Sequence, residues 1–177
     1  MAYTYSKIAS VTVGSGGVSS IDFLAIPQNY TDLVLKASLR SNFAAETDKY
    51  VNLTFNSSNA SIYSTRELLS SGATVASLSW SNMAQNYIFE AAAAAATANT
   101  FGNLELYIPN YSGSTFKTIS NDGVTETNAA SGTNRLLSLS ASIWANSAAI
   151  NQITLTSPSS TFNQYSTATL YGIKAEV

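Results

Sequence analysis

Residues Phe101–Asp122, FGNLELYIPNYSGSTFKTISND, decide the fold class. Leu104, Leu106 and Ile108 alternate with Asn103, Glu105 and Tyr107. Period-two alternation is the spacing of a strand with one apolar face. Pro109 has no N–H to give to a ladder, so the strand stops there. Tyr111 packs the corner, and Ser112-Gly113-Ser114 turns the chain into a second strand. The unit is strand, corner, turn, strand, and it carries no catalytic signature.

Outward from this segment the pattern repeats. Ile26-Pro27-Gln28-Asn29-Tyr30 echoes Ile108-Pro109-Asn110-Tyr111, a reuse of one strand-corner solution. Leu33–Arg40 alternates with Leu33, Leu35, Ala37 and Leu39 on one face, and Tyr50–Phe55 with Val51, Leu53 and Phe55 inward. Ser61–Leu69, Val75–Trp80 and Gln85–Phe89 are shorter strands, and Gly123–Ser131 reads as a short strand plus loop. Residues 3–26 read as a hairpin about Gly14-Ser15-Gly16-Gly17, with Tyr3 and Tyr5 on a short N-terminal arm, residues 1–7, or on an edge strand. Leu136–Trp144 alternates strictly. Its expected inward set is Leu137, Leu139, Ala141 and Ile143, with Ser138, Ser140, Ser142 and Trp144 facing solvent or a polar interface. Ile150–Thr156 and Phe162–Glu176 close the chain. Two readings stay open for the run Ala91–Ala96: a short helix, from alanine's propensity, or a small-residue loop packed on another subunit. The sum is an all-β chain: one domain over residues 1–177, an antiparallel two-sheet β-sandwich of jelly-roll-like type with about eight to ten strands.

Composition narrows the chemistry. The chain has 177 residues, 45% hydrophobic but only 10% charged, so Ser, Thr and Asn carry the polarity. Such a surface is tolerable where partners cover it, and suits an extracellular or virion protein. Net charge is −2, and the eight Lys and Arg are scattered, so no basic stripe exists for nucleic acid. With no Cys and no His, the chain cannot form a disulfide, a thiol nucleophile, a Cys/His zinc site or a Ser-His-Asp triad. We read neither a signal peptide nor a membrane-spanning helix. Sequons such as Asn52-Leu53-Thr54 and Asn110-Tyr111-Ser112 follow from the Ser/Asn-rich composition.

Candidate chemistry is sparse. Ten carboxylates offer a glycosidase pair only if two converge across a cleft, and most fall in turns or on outward faces. Asn121, Asp122 and Glu126 supply oxygens, but their spacing matches no calcium loop. The expectation is therefore no enzyme, no cofactor and no metal. Tyr30, Tyr107, Tyr111 and Trp144 stand at corners or on outward faces, where aromatics cap a sandwich, anchor a protein interface or stack on a sugar. The interface candidates are Tyr3, Tyr5, Tyr107, Tyr111 and Trp144.

Three stretches carry a resemblance: TANTFGNLELYIPNY followed by FKTISND, then Leu139–Ile153 with SAAINQITL after its Trp, then FNQYSTATLYGI at Phe162–Ile173. With IDFLAIPQNYTDLVLKASLRS near the start, the chain over residues 20–174 resembles small β-sandwich virion proteins of tailed bacteriophages. Ala91–Ala96 departs from that pattern, where a mixed Gly/Pro/Asn loop is expected. The resemblance implies a structural part of the particle without activity or cofactor. It implies a capsid decoration (cement) protein: a homotrimer on the major capsid protein or other virion proteins, assembled in the bacterial cytoplasm, touching neither nucleic acid nor membrane. The alternative it implies is a tail or head fibre module that binds a host receptor or carbohydrate.

Overall fold

The computed structural model describes residues 3–44, 46, 48–72, 74–126 and 136–175. These form twelve strands and no helix: β1 (Tyr3–Thr12), β2 (Ser20–Phe23), β3 (Asp32–Leu39), β4 (Asp48–Phe55), β5 (Tyr63–Ser71), β6 (Thr74–Met83), β7 (Asn86–Ala92), β8 (Gly102–Ile108), β9 (Lys117–Thr125), β10 (Leu136–Trp144), β11 (Ile153–Thr156) and β12 (Thr167–Ala175). All pairings between them are antiparallel. One sheet runs β1-β12-β3-β8-β9-β10-β5-β6 and the other β2-β11-β4-β7.

Eight strands make the frame. The layer β1-β12-β3-β8 faces β2-β11-β4-β7, which is the strand order of a jelly roll. Two hairpins are inserted into it: β5–β6 between β4 and β7, and β9–β10 between β8 and β11. Both extend the first layer beyond β8, so a wing of four strands curls over the outer strand β7, which packs against β5, β8, β9 and β10.

Alternation dictates the core. Leu33, Leu35, Leu39, Leu104, Leu106, Ile108 and Leu170 point inward from the larger sheet and meet Ile21, Phe23, Val51, Leu53, Phe55, Ile153 and Leu155 from the smaller. The inward sets expected for Leu33–Arg40, Tyr50–Phe55 and Leu104–Ile108 are all buried. The two echoing Pro corners turn out to touch: the Tyr111 hydroxyl donates to the Pro27 carbonyl, and the Tyr111 carbonyl accepts from Ile150 N–H at 2.9 Å.

Four expectations need correction. Residues 3–26 are not a hairpin, because β1 pairs with β12 and β2 with β11 in the opposite sheet. The Gly14–Gly17 turn carries the chain between layers, and at Gly17, with φ 65°, an added Cβ would lie 2.9 Å from the Phe162 carbonyl oxygen, so a side chain has no room. Tyr3–Lys7 is no arm but the start of β1, the edge strand that the residues also allowed. Ala91–Ala96 is neither helix nor pure loop. Ala91 and Ala92 end β7, paired with Lys49 and Asp48, and Ala93 lies buried before a turn closed by Ala96 N–H to Ala93 carbonyl. Pairing and complete burial override alanine's helical preference there.

The fourth correction inverts β10. Ser138, Ser140, Ser142 and Trp144 are buried, while Leu137 and Leu139 stand 60% and 59% exposed. Trp144 fixes the parity: its ring stacks on Tyr63 at 6.4 Å and meets Phe55 at 5.4 Å. Because side chains alternate strictly, seating the largest one inward turns the serines inward with it. Their small size lets the wing close on β7. Phe89 of β7 fills the space over Gly123, where a Cβ would come within 2.3 Å of its ring. The expected strand at Gly123–Ser131 is the end of β9, and its residues from 127 onward lie outside the described ones.

Under the wing the core is polar. Thr65 bonds both Asn86 and Ser142, Asn121 donates to the Ile88 carbonyl, and Thr125 donates to the Glu90 carbonyl. Buried polar groups need such partners, and here Asn86 Nδ2, Asn121 Oδ1 and Ser140 Oγ still have none. Glu67 is 4% exposed in this layer. Burial pushes its carboxyl above the ordinary range, with the neighbouring Ser138 hydroxyl acting the other way.

Candidate functional site

The five aromatic interface candidates divide. Tyr111 and Trp144 are buried, so the outward positions expected of them are corrected: they are packing residues. Tyr5 is 53% exposed and Tyr107 37% exposed, and both lie on the outward face of the larger sheet. Tyr5 meets Tyr171 edge-on at 6.2 Å, and Tyr107 donates to Asp32 at 2.8 Å. Tyr3 opens β1 opposite Ala175.

That outward face is the first candidate surface. Register sets its rows. Tyr171, Val34 and Tyr107 stand side by side across β12, β3 and β8. Further along the sheet, Val124 of β9 pairs with Leu137 of β10, and Leu139 of β10 with Leu68 of β5. Val75 of β6, 67% exposed, continues the patch across Ser70. Shallow hollows lie between these side chains, one lined by Leu68, Leu139 and Ala141, another by Val124, Leu137 and Leu104. The bordering charges balance: Lys36 pairs with Glu105 at 2.8 Å, and Arg66 and Asp122 lie nearby. Monomeric proteins rarely leave so many large aliphatics contiguous in water. Sequence reading missed the leucines because it placed them inward.

The second surface is a cleft of about 420 Å3 at one end of the sandwich. The Gly14–Gly17 turn, residues 97–101 and residues 161–165 surround it, with Arg40 beyond the end of β3 in its wall. Arg40 is 8% exposed. Its guanidinium donates to the carbonyls of Ala96, Thr97 and Thr100 at 3.2, 2.9 and 2.8 Å. No carboxylate of a described residue pairs with it, and burial draws its pKa below the ordinary value. Phe101 and Tyr165 line the same cleft. A third cluster joins Tyr50, Trp80 and Tyr87, with ring centroids 5.3 to 6.1 Å apart, all partly buried.

Asn121 points inward and Asp122 outward on consecutive residues of β9, so the oxygens considered for calcium separate onto opposite faces. Among the described residues no group of three or more Asp, Glu, His or Cys is placed to hold a metal ion. No described helix is long and apolar enough to cross a membrane.

Fold and surfaces define an all-β, two-sheet sandwich with an apolar outer face and a polar end cleft. No family model, no curated protein and no solved structure matches the chain.

Proposed function

We propose that this chain is a structural protein of a tailed-phage particle, binding as a cement protein over the major capsid protein through the outward face of its eight-stranded sheet. One observation carries the reading: Leu68, Val75, Val124, Leu137 and Leu139 form a continuous exposed patch, with Tyr107 farther along the same sheet face. Its charges cancel locally, so a protein surface that is itself apolar and neutral fits it better than a charged polymer does. The resemblance to virion β-sandwiches supplies the occupant, the assembled protein shell. Each copy bridges neighbouring shell subunits, and preferential binding to the closed lattice stabilises it by mass action. A trimer of copies covering the sheet edges at β1 and β6 completes this arrangement.

The test is co-sedimentation of purified chain with shells lacking it. Wild type is expected to sediment with the shells and raise their melting temperature. Leu137→Asp with Leu139→Asp should abolish both effects while leaving the chain's own circular dichroism unchanged. Wild type failing to sediment, or the double variant binding equally, rejects the docking face. A handful of copies per particle instead of hundreds would move the chain to a fibre.

A further inference from the structure

We propose that the end cleft around Arg40 and Tyr165 is a binding site for a carboxylated saccharide, a sugar of the uronic- or sialic-acid class. The cleft's volume of about 420 Å3 lies in the range of small-ligand sites. Its lining residues make three kinds of contact available.

The first is charge. Arg40 is the sole ionisable residue in the lining apart from the phenol of Tyr165. The protein as a whole carries −2, so this hollow is a positive spot on a negative molecule. The loop carbonyls hold the guanidinium in place without neutralising it. Three of its five N–H donors are spent on those carbonyls, which leaves Nε–H and one Nη2–H on one edge for the two oxygens of a carboxylate. The second is unspent amide groups. Among the described residues the side chains of Asn99, Asn163 and Gln164 make no hydrogen bond within the protein, and Asn42 uses only its oxygen, accepting from Thr161 N–H at 2.8 Å. Carboxamides both donate and accept, which is what neighbouring sugar hydroxyls require. The third is ring surface. Phe101 and the 69% exposed Tyr165 offer flat faces for the C–H side of a pyranose.

Backbone strain points to the same place. Tyr165 has φ 72° and Asn99 φ 64°. Asn tolerates that region, but for a bulky aromatic it is an outlier. An exposed tyrosine that contributes little to the core is thus held in an unfavourable conformation at the rim of the cleft. The backbone there is held by Tyr165 N–H to the Val13 carbonyl and Ser166 N–H to the Asn163 carbonyl, at 3.0 and 3.1 Å, and this turn sets the ring at the rim of the cleft. Phosphate or sulfate would use Arg40 and the amide N–H groups but leave the amide oxygens and the rings idle, so the full set of groups favours the acidic sugar.

The experiment uses the purified full chain on a glycan array carrying uronate- and sialate-terminated glycans beside neutral ones. Calorimetric titration follows with tri-galacturonate and sialyllactose against maltotriose and lactose. Acidic glycans should bind, with neutral counterparts about tenfold or more weaker, and affinity should fall as salt rises. Arg40 anchors residues 96–100 and its removal endangers folding, so exposed Tyr165 carries the decisive variants. Tyr165→Gly relieves the strain and should hold or raise Tm while weakening acidic-glycan binding about tenfold or more. Asn163→Ala should weaken it as well. The proposal is overturned if no acidic glycan binds, if neutral glycans bind equally, if Tyr165→Gly binds like wild type, or if inorganic sulfate competes at the same concentration as the sugar. Failure here leaves the sheet-face docking untouched, because the two surfaces share no residue.

Discussion

Trp144 shows how burial reassigns a residue. It lies 1% exposed between Phe55 and Tyr63, with its indole N–H unpartnered. Trp144→Ala should therefore cost about 3–5 kcal/mol in urea unfolding, the usual range for emptying such a site. Glu67 makes a pH prediction. Its carboxyl is raised above the ordinary 4.5 by burial, so the fold favours the neutral form. Between the ordinary and the raised value the native state holds more protons than the unfolded one, and stability falls as pH climbs through that window. Stability from this group is full below the ordinary value. Glu67→Gln should flatten the dependence and raise Tm at neutral pH, as thermal melts at about pH 4 and about pH 8 would register. Neither residue's role was legible in sequence. Trp144 shares the parity of three serines, and composition argued for sending that face to water. Glu67 offers no local sign of a wing folding over it.

At the scale of elements, β10 concentrates the lesson. Its position and period were readable from Leu136–Trp144, and its facing was not. A run with leucines on one face and serines on the other reads inward-apolar by default. The default fails here because the buried face of β10 packs on β7, and Ser138 stands beside Gly123, where Phe89 leaves no room for a Cβ. Two substitutions separate the alternatives. Ser140→Leu should destabilise by about 1–3 kcal/mol through overpacking, whereas Leu139→Thr should stay within about 0.5 kcal/mol because it keeps β propensity and changes an exposed residue. Urea midpoints of the two variants decide the facing of the strand. The reverse ordering would restore the leucines to the core. Strand positions elsewhere were legible because Leu33–Leu39, Val51–Phe55 and Leu104–Ile108 bury the leucines they display. Partners were not, since nothing in Val11 or Ile21 says that one strand will join β12 and the other β11.

For the whole molecule, turn signals and absent helical periodicity were enough for an all-β sandwich. The eight-to-four division of strands was not, because it depends on where two inserted hairpins land. The candidate face followed the same limit: Tyr5 was found on the N-terminal segment and Tyr107 by its outward parity, but the aliphatic patch appears only once β5, β9 and β10 lie side by side. Seven of the ten strand pairings join strands that are not consecutive in the chain, β1 to β12 being the extreme. Such topologies fold slowly, and stopped-flow refolding should relax over milliseconds to seconds.

The wing order β9-β10-β5-β6 has a consequence for the chain while it is being made. A ribosome releases β5 and β6 early, yet the neighbour that β5 needs, β10, emerges only after β7, β8 and β9. In that interval a finished hairpin presents an open strand edge beside Leu68 and Val75, ready to pair with the same hairpin of another nascent copy. Arg66, with Nη1 donating to the Trp80 carbonyl at 3.0 Å, sits on that hairpin and puts a charge on it from the start. A charge on an open strand edge disfavours its pairing with another chain.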